Sequence, residues 1–336
     1  MKSNELNRIW EDIENRPCSE NHFFQRIVCI DLLYRVYIGV SGIPSKRFLS
    51  IEIPDTCKEQ FDSFTEPKGF TLIISAPTVK HEGYVSCVLE AAASDQNDVF
   101  TIVAEDIVNA LYKRRHSSGY VNILKSRIEK WREFFKNKAK KQLAEKTVIG
   151  LIGELTFLKE LITARIQNAV EMWNGPIKAS QDFQGDNTAA EVKTASTNRI
   201  SHVHISSEMQ LDQDDRDVLF LVVYRIERND AGGIKLPSLI EEIANLLDDR
   251  QKARFWASLT CLGYFQEDEK FYSKGYSIKE RMAYKIKEEF PCILRKDIPP
   301  EISDVKYKLS LQNCSGFAVD METVVREIKE LENGEN

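Results

Sequence analysis

The sequence predicts an α/β (α+β) protein of about two domains, and three observations carry that prediction. Residues 34–92 hold four β-branched and aromatic runs separated by Gly, Pro and charged breaks. Residues 147–230 alternate a helical apolar stripe with strand-like runs and end on "VLFLVVY" (Val218 to Tyr224), the signature of a strand buried on both faces. From about residue 236 the apolar spacing is helical again. A chain of 336 residues is long enough to bury two respectable cores.

Taken in order, residues 1–112 form a strand-rich domain behind a short N-terminal helix, with strands at "YRVYIGVSG", "KRFLSIEIP", "GFTLIISAPTV" and "YVSCVLEAA". "VFTIVAEDIVNALYKR" starts as a strand and turns helical. Residues 113–146 are a basic helical connector, amphipathic through Val121, Leu124, Ile128, Trp131 and Phe135. Residues 147–230 are the α/β core: helix "TVIGLIGELTFLKELI", strand "AVEMW", hairpin "QDF" to "AAEVKTA", strand "HVHISS", a helix turn and the buried strand. Residues 231–336 are mainly helical and close on an extended hairpin and a charged helix, a winged-helix-like order.

Composition removes several classes of function. The apolar runs are too short to span a bilayer, and "KSNELNRIWEDIENR" after Met1 has no signal-peptide core, so a cytoplasmic protein is expected. Seven scattered cysteines (Cys18, Cys29, Cys57, Cys87, Cys261, Cys292, Cys314) contain no Cys-x-x-Cys pair, and they read as small buried hydrophobes rather than a disulfide or zinc framework. Trp10, Trp131, Trp173 and Trp256 are too dispersed for a stacking platform and read as core. The net charge of −6 argues against wholesale nucleic-acid binding. Lys113 to Lys146, however, hold twelve Lys or Arg against three Glu, a balance of +9. That segment is either a solvated helix or a phosphate-binding face carried by Lys138, Lys140 and Lys141.

The chemistry concentrates in "SQDFQGDNTAAEVKTAS" (Ser180 to Ser196). With Asp186 and Asn187 as a two-residue turn, Gly185 faces Thr188 and Asp182 lies across from Glu191. Directly opposed residues share a face, and Lys193, two positions beyond Glu191, joins them there. Ala190, Val192 and Thr194 then face the other way. Opposed carboxylates repel unless a cation lies between them, and Mg²⁺ takes one or two protein carboxylates while keeping several waters. Lys193 would lie beside a metal-bound water or offset phosphate charge, a set suited to phosphodiester hydrolysis. A cross-strand Glu–Lys salt bridge is the plain alternative for Glu191 and Lys193.

Upstream, Val148, Leu151, Leu155, Leu158 and Ile162 share one helical face and Glu154 lies at its edge, placed to ligate the metal or hold a ligand water. Gly150 and Gly153 weaken that helix by about 1 kcal/mol each, which fits a close approach of backbone or nucleic acid. His202 and His204 alternate on one face of "HVHISS"; they are candidates for metal or phosphate contact, or for structural or DNA-facing roles.

The order Glu154, Asp182, Glu191-Val192-Lys193 resembles the PD-(D/E)XK nuclease superfamily, with Gln181-Asp182 where the name has Pro-Asp. More narrowly, the stretch from "IGLIGELTFLKEL" through "WNGP", "DF", "AAEVKT" and "ISSEMQL", resuming at "FPCILRKDIPPEISDVKYKLSL", is similar to a bacterial PD-(D/E)XK motif protein family often encoded beside restriction–modification and phage-defence genes. The resemblance implies a restriction-endonuclease-like core over roughly residues 100–320. It also implies Mg²⁺ ligands from Asp182, Glu191 and the Val192 carbonyl, with Lys193 as the catalytic lysine and Glu154 as the helix acid. Gln210 in "SSEMQLD" falls near a DNA-contacting or lysine-supporting Gln of some relatives, without the Tyr that follows theirs.

The function expected is therefore a Mg²⁺-dependent DNA endonuclease of restriction or defence type, with Mn²⁺ able to substitute. A homodimer or defence-system partner proteins would bring the second centre that cutting both strands needs. The competing expectation is a nuclease-fold subunit that binds DNA or assembles a complex without cutting, and RNA processing is a third class.

Overall fold

The structure, a computed structural model, describes residues 5–15, 23–29, 34–64, 69–113, 119–137, 142–175, 180–196, 201–213, 216–299, 301–302 and 304–334. Lys138, Lys140 and Lys141 lie outside these residues. The chain divides into two compact units, residues 1–141 and 142–336.

The first unit is an antiparallel sheet with three helices. Helix α1 (Glu5–Glu14) precedes β1 (Phe23–Cys29), β2 (Val36–Ser41), β3 (Lys46–Pro54), β4 (Phe70–Ser75) and β5 (Tyr84–Ala91), and α2 (Asn97–Lys113) and α3 (Tyr120–Asn137) follow. The strands stand in the order β1-β2-β3-β5-β4. Strands β2 to β5 fall on the four runs that predict them. Residues 99–104, expected to start as a strand, are helical: Phe100 to Asp106 are all buried, and a helix enclosed on every side shows no polar stripe to reveal its period.

Helix α3 is part of this unit rather than a connector. Its Trp131 indole donates to Asp106 of α2 at 2.8 Å, and Phe135 packs edge-on against Phe70 of β4. Trp10, Trp131 and Trp173 are buried, as core residues should be.

The second unit runs α4 (Glu145–Thr163), α5 (Ala169–Met172), β6 (Phe183–Gln184), β7 (Thr188–Ala195), β8 (His202–Ile205), β9 (Val218–Arg228), β10 (Ile234–Lys235), α6 (Leu236–Ala244), α7 (Asp249–Leu262), β11 (Gly275–Ile286), β12 (Tyr307–Ser310), β13 (Ala318–Val319) and α8 (Met321–Asn333). Its main sheet has the order β10-β11-β9-β7-β6, with β13 also on β11. Strand β9 lies parallel to β7 and antiparallel to β11. Leu219 to Tyr224 are wholly buried because both faces of β9 are covered.

Alternation along β9 sorts the two cores. Phe220, Val222 and Tyr224 join Ala190 and Val192 of β7 against the helices, whereas Leu219, Leu221 and Val223 face the two-stranded β8–β12 ribbon. "AVEMW", expected as a strand, is the single turn α5 followed by Trp173, which makes an isolated bridge to Phe183. The C-terminal region forms no separate wing: β11 pairs with β9 along most of its length and completes the sheet. Among the described residues no helix is long and apolar enough to cross a membrane.

Candidate metal centre

The hairpin has the register that the turn chemistry predicts. The Gly185 amide donates to the Thr188 carbonyl at 2.8 Å, and Phe183 pairs with Ala190 and Gln184 with Ala189. Extending that ladder by one step sets Asp182 across from Glu191. The odd positions of β7, Glu191 and Lys193, share a face opposite Ala190 and Val192.

Each side chain is held by a specific partner. Asp182 accepts from the Val192 amide at 2.9 Å. The carbonyl of a strand residue points to the same edge as its amide, so the Val192 carbonyl also faces this edge, where β6 has ended and, among the described residues, no strand pairs with it. The Lys193 ammonium lies 2.6 Å from one Glu191 oxygen and donates to the Gln210 amide oxygen at 3.1 Å. Glu154, from α4, accepts from the Trp173 indole at 2.9 Å. Helix α4 reaches the strand closely because residue 153 is glycine; a Cβ there would fall 2.2 Å from the Thr194 methyl. Gly150 has open space and needs no such explanation.

Three carboxyls and one ammonium make an unbalanced cluster. Burial, then Asp182, pushes Glu154 up to about 8. Burial raises Asp182 against the opposing effects of Lys193 and the Val192 amide. Glu191, only 1% exposed, is raised well above the ordinary range by burial, Asp182 and Glu154 despite its contact with Lys193. Its second oxygen is buried and accepts no hydrogen bond. An unsatisfied buried carboxylate oxygen is costly. Among the described residues no three His, Cys, Asp or Glu side chains are gathered as a ligand set for one ion. Asp182, the free Glu191 oxygen and the Val192 carbonyl nonetheless match Mg²⁺, a hard cation content with one or two carboxylates plus waters.

Five further residues complete the picture. Gln210 also accepts from the Ser206 amide at 2.7 Å, so its amide oxygen is fixed before it meets Lys193. His202 and His204 are exposed on the outer face of β8. Gln181, where the superfamily name has Pro, is 3% exposed and donates to the Met209 and Asp212 carbonyls at 2.7 and 2.9 Å. Proline has no group that could do this. Sequence reading misses Glu332 of α8 altogether: it accepts from the amides of Asp186, Asn187 and Thr188 at 2.9–3.0 Å, from the Thr188 hydroxyl and from Asn168. Burial alone would raise the Glu332 carboxyl, but these donors hold it below the ordinary glutamate range. A Cβ at residue 185 would collide with it, so glycine leaves room for the carboxylate at the turn. Only the acid's chemistry could have flagged Glu332, and nothing in its local sequence separates it from the charged face of a helix.

One comparison with known proteins identifies the family. Residues 6–312 match the family described as "Putative PD-(D/E)XK family member, (DUF4420)", and the chain belongs to it. Its fold is nuclease-like. Neither the search of curated proteins nor that of solved structures returned a match.

Proposed function

We propose that this protein is a Mg²⁺-dependent endonuclease that hydrolyses phosphodiester bonds of DNA. The observation that carries the reading is the buried, unpartnered oxygen of Glu191 on an edge shared with Asp182, the Val192 carbonyl and Lys193. Asp182, Glu191 and the Val192 carbonyl would hold the ion. When bound, Mg²⁺ supplies Lewis acidity toward a phosphoryl oxygen and lowers the pKa of a coordinated water.

The chain's own groups do the rest. Lys193, fixed between Glu191 and Gln210, orients the attacking water and offers positive charge to the phosphate. Gln210 prevents that ammonium from settling wholly onto Glu191. The Val192 amide sets the rotamer of Asp182. Glu154, tethered by Trp173, sits beside Asp182 and would serve as a further acid toward the ion or its water. Two copies of the chain would supply the two centres that a double-strand break needs. The setting that this reading assigns to the activity is a restriction or phage-defence system.

Plasmid and oligonucleotide cleavage with Mg²⁺ or Mn²⁺ tests the reading. Wild type should cut, and Lys193→Ala and Asp182→Ala should each lose about 10²–10⁴-fold in rate. A wild type that binds DNA but never cuts it, with any partner or methylation state, would make the protein a non-cleaving assembly subunit.

A further inference from the structure

Strands β8 and β12 form a two-stranded antiparallel ribbon with two unlike faces. Opposed pairs are Ile205 with Tyr307, His204 with Lys308, Val203 with Leu309 and His202 with Ser310. Val203, Ile205 and Leu309 are at most 5% exposed and pack on the face of the main sheet that carries Leu219 and Leu221. The outward positions are His202, His204, Lys308 and Ser310; the first three are exposed, as is Lys306 just before β12. No carboxylate occupies any of the four outward positions, on a chain whose acids outnumber its bases by 52 to 46.

The ribbon is fastened to the metal centre. One residue after β8, the Ser206 amide donates to Gln210, whose same oxygen receives Lys193. Gln181, beside Asp182, grips the carbonyls of Met209 and Asp212 in the segment that follows. The Leu311 amide closes the far end of the ribbon on the Ser201 carbonyl at 3.0 Å. Ribbon and Lys193 are therefore linked through the single amide oxygen of Gln210.

From this arrangement we infer that the outer face of the β8–β12 ribbon grips the phosphate backbone of duplex DNA beside the scissile bond. Hydrogen-bond donors and positive charge without carboxylates suit phosphate. A two-stranded ribbon is also one of the elements that the major groove of B-form DNA admits, whereas the deep, narrow groove of A-form RNA does not. The inference deepens the nuclease reading by assigning its substrate-holding surface, and it rests on that reading for the identity of the partner.

The test is fluorescence anisotropy of the full chain on a labelled DNA duplex with Ca²⁺ in place of Mg²⁺, repeated over a range of KCl. His202→Ala, His204→Ala and Lys308→Ala are combined in one variant, and Lys279→Ala with Lys287→Ala, exposed on the same unit, serves as control. Because the ribbon positions are solvent-facing, the triple variant should keep the wild-type melting temperature. Its DNA affinity should fall about 10-fold or more at 0.1 M salt, and the slope of log K against log salt should flatten by about one per lost phosphate contact. The control should leave both unchanged. Unchanged affinity and slope in the triple variant, no duplex binding by wild type, or equal binding of double-stranded RNA would each overturn the inference. Failure of wild type to cut, with binding still lost in the triple variant, would sink the nuclease reading and leave the ribbon standing.

Discussion

At the scale of single residues, the centre is governed by charge held out of water. Glu154 has its carboxyl raised from 4.5 to about 8, so between those values the metal-free native state keeps a proton that the unfolded chain has released. Stability must then fall as pH rises through that window, at up to about 1.4 kcal/mol per pH unit, and level off above it. Thermal melts of the metal-free protein should show this decline, and Glu154→Gln should lessen it, leaving the part owed to Asp182 and Glu191. Mg²⁺ should raise the melting temperature more at pH 8 than at pH 6, because protons compete for the same oxygens. Gln181→Pro makes a different point. It restores the superfamily's motif yet deletes both bonds to the 209–212 segment, so kcat should drop while Mg²⁺ affinity, measured by calorimetry, changes little.

Elements behave as units fixed by partners distant in sequence. The turn of the β6–β7 hairpin is held by one carboxylate from α8, at a sequence separation of 144 residues. Glu332→Ala should cost about 1–3 kcal/mol by leaving buried amides unmet, and should weaken Mg²⁺ binding without touching the ion. Since the Glu332 carboxyl lies below its ordinary value of 4.5, its stabilisation is complete above that pH and is lost as pH falls through the lower native value. The gap in melting temperature between wild type and Glu332→Gln should therefore be full at pH 7 and shrink in acid. What was legible in the sequence follows the same division. The hairpin register, the unlike faces of β7 and the buried β9 all follow from period-two alternation and turn residues, which are local. The helical start of α2, the single turn of α5 and the placement of β11 in the sheet are set by burial against distant segments, which no local window contains. Glu332 and the tether made by Gln181 belong to that second group.

For the whole molecule, the division at residue 142 is the informative feature. Every residue of the centre, the ribbon and Glu332 lies in the second unit, which has its own sheet and two cores. Residues 142–336 expressed alone should fold cooperatively and bind Mn²⁺ with the affinity of the full chain. Calorimetry that finds no binding by a folded fragment would show that the first unit contributes to the ion's site.

The reach of Glu332 back to the turn also orders the molecule in time. Asp182, Glu191 and Lys193 emerge from synthesis well before the carboxylate that secures their hairpin. A chain that stops short of α8 would carry all three of those groups yet lack the acceptor for the turn amides, so under the proposed function a prematurely released chain should be inert.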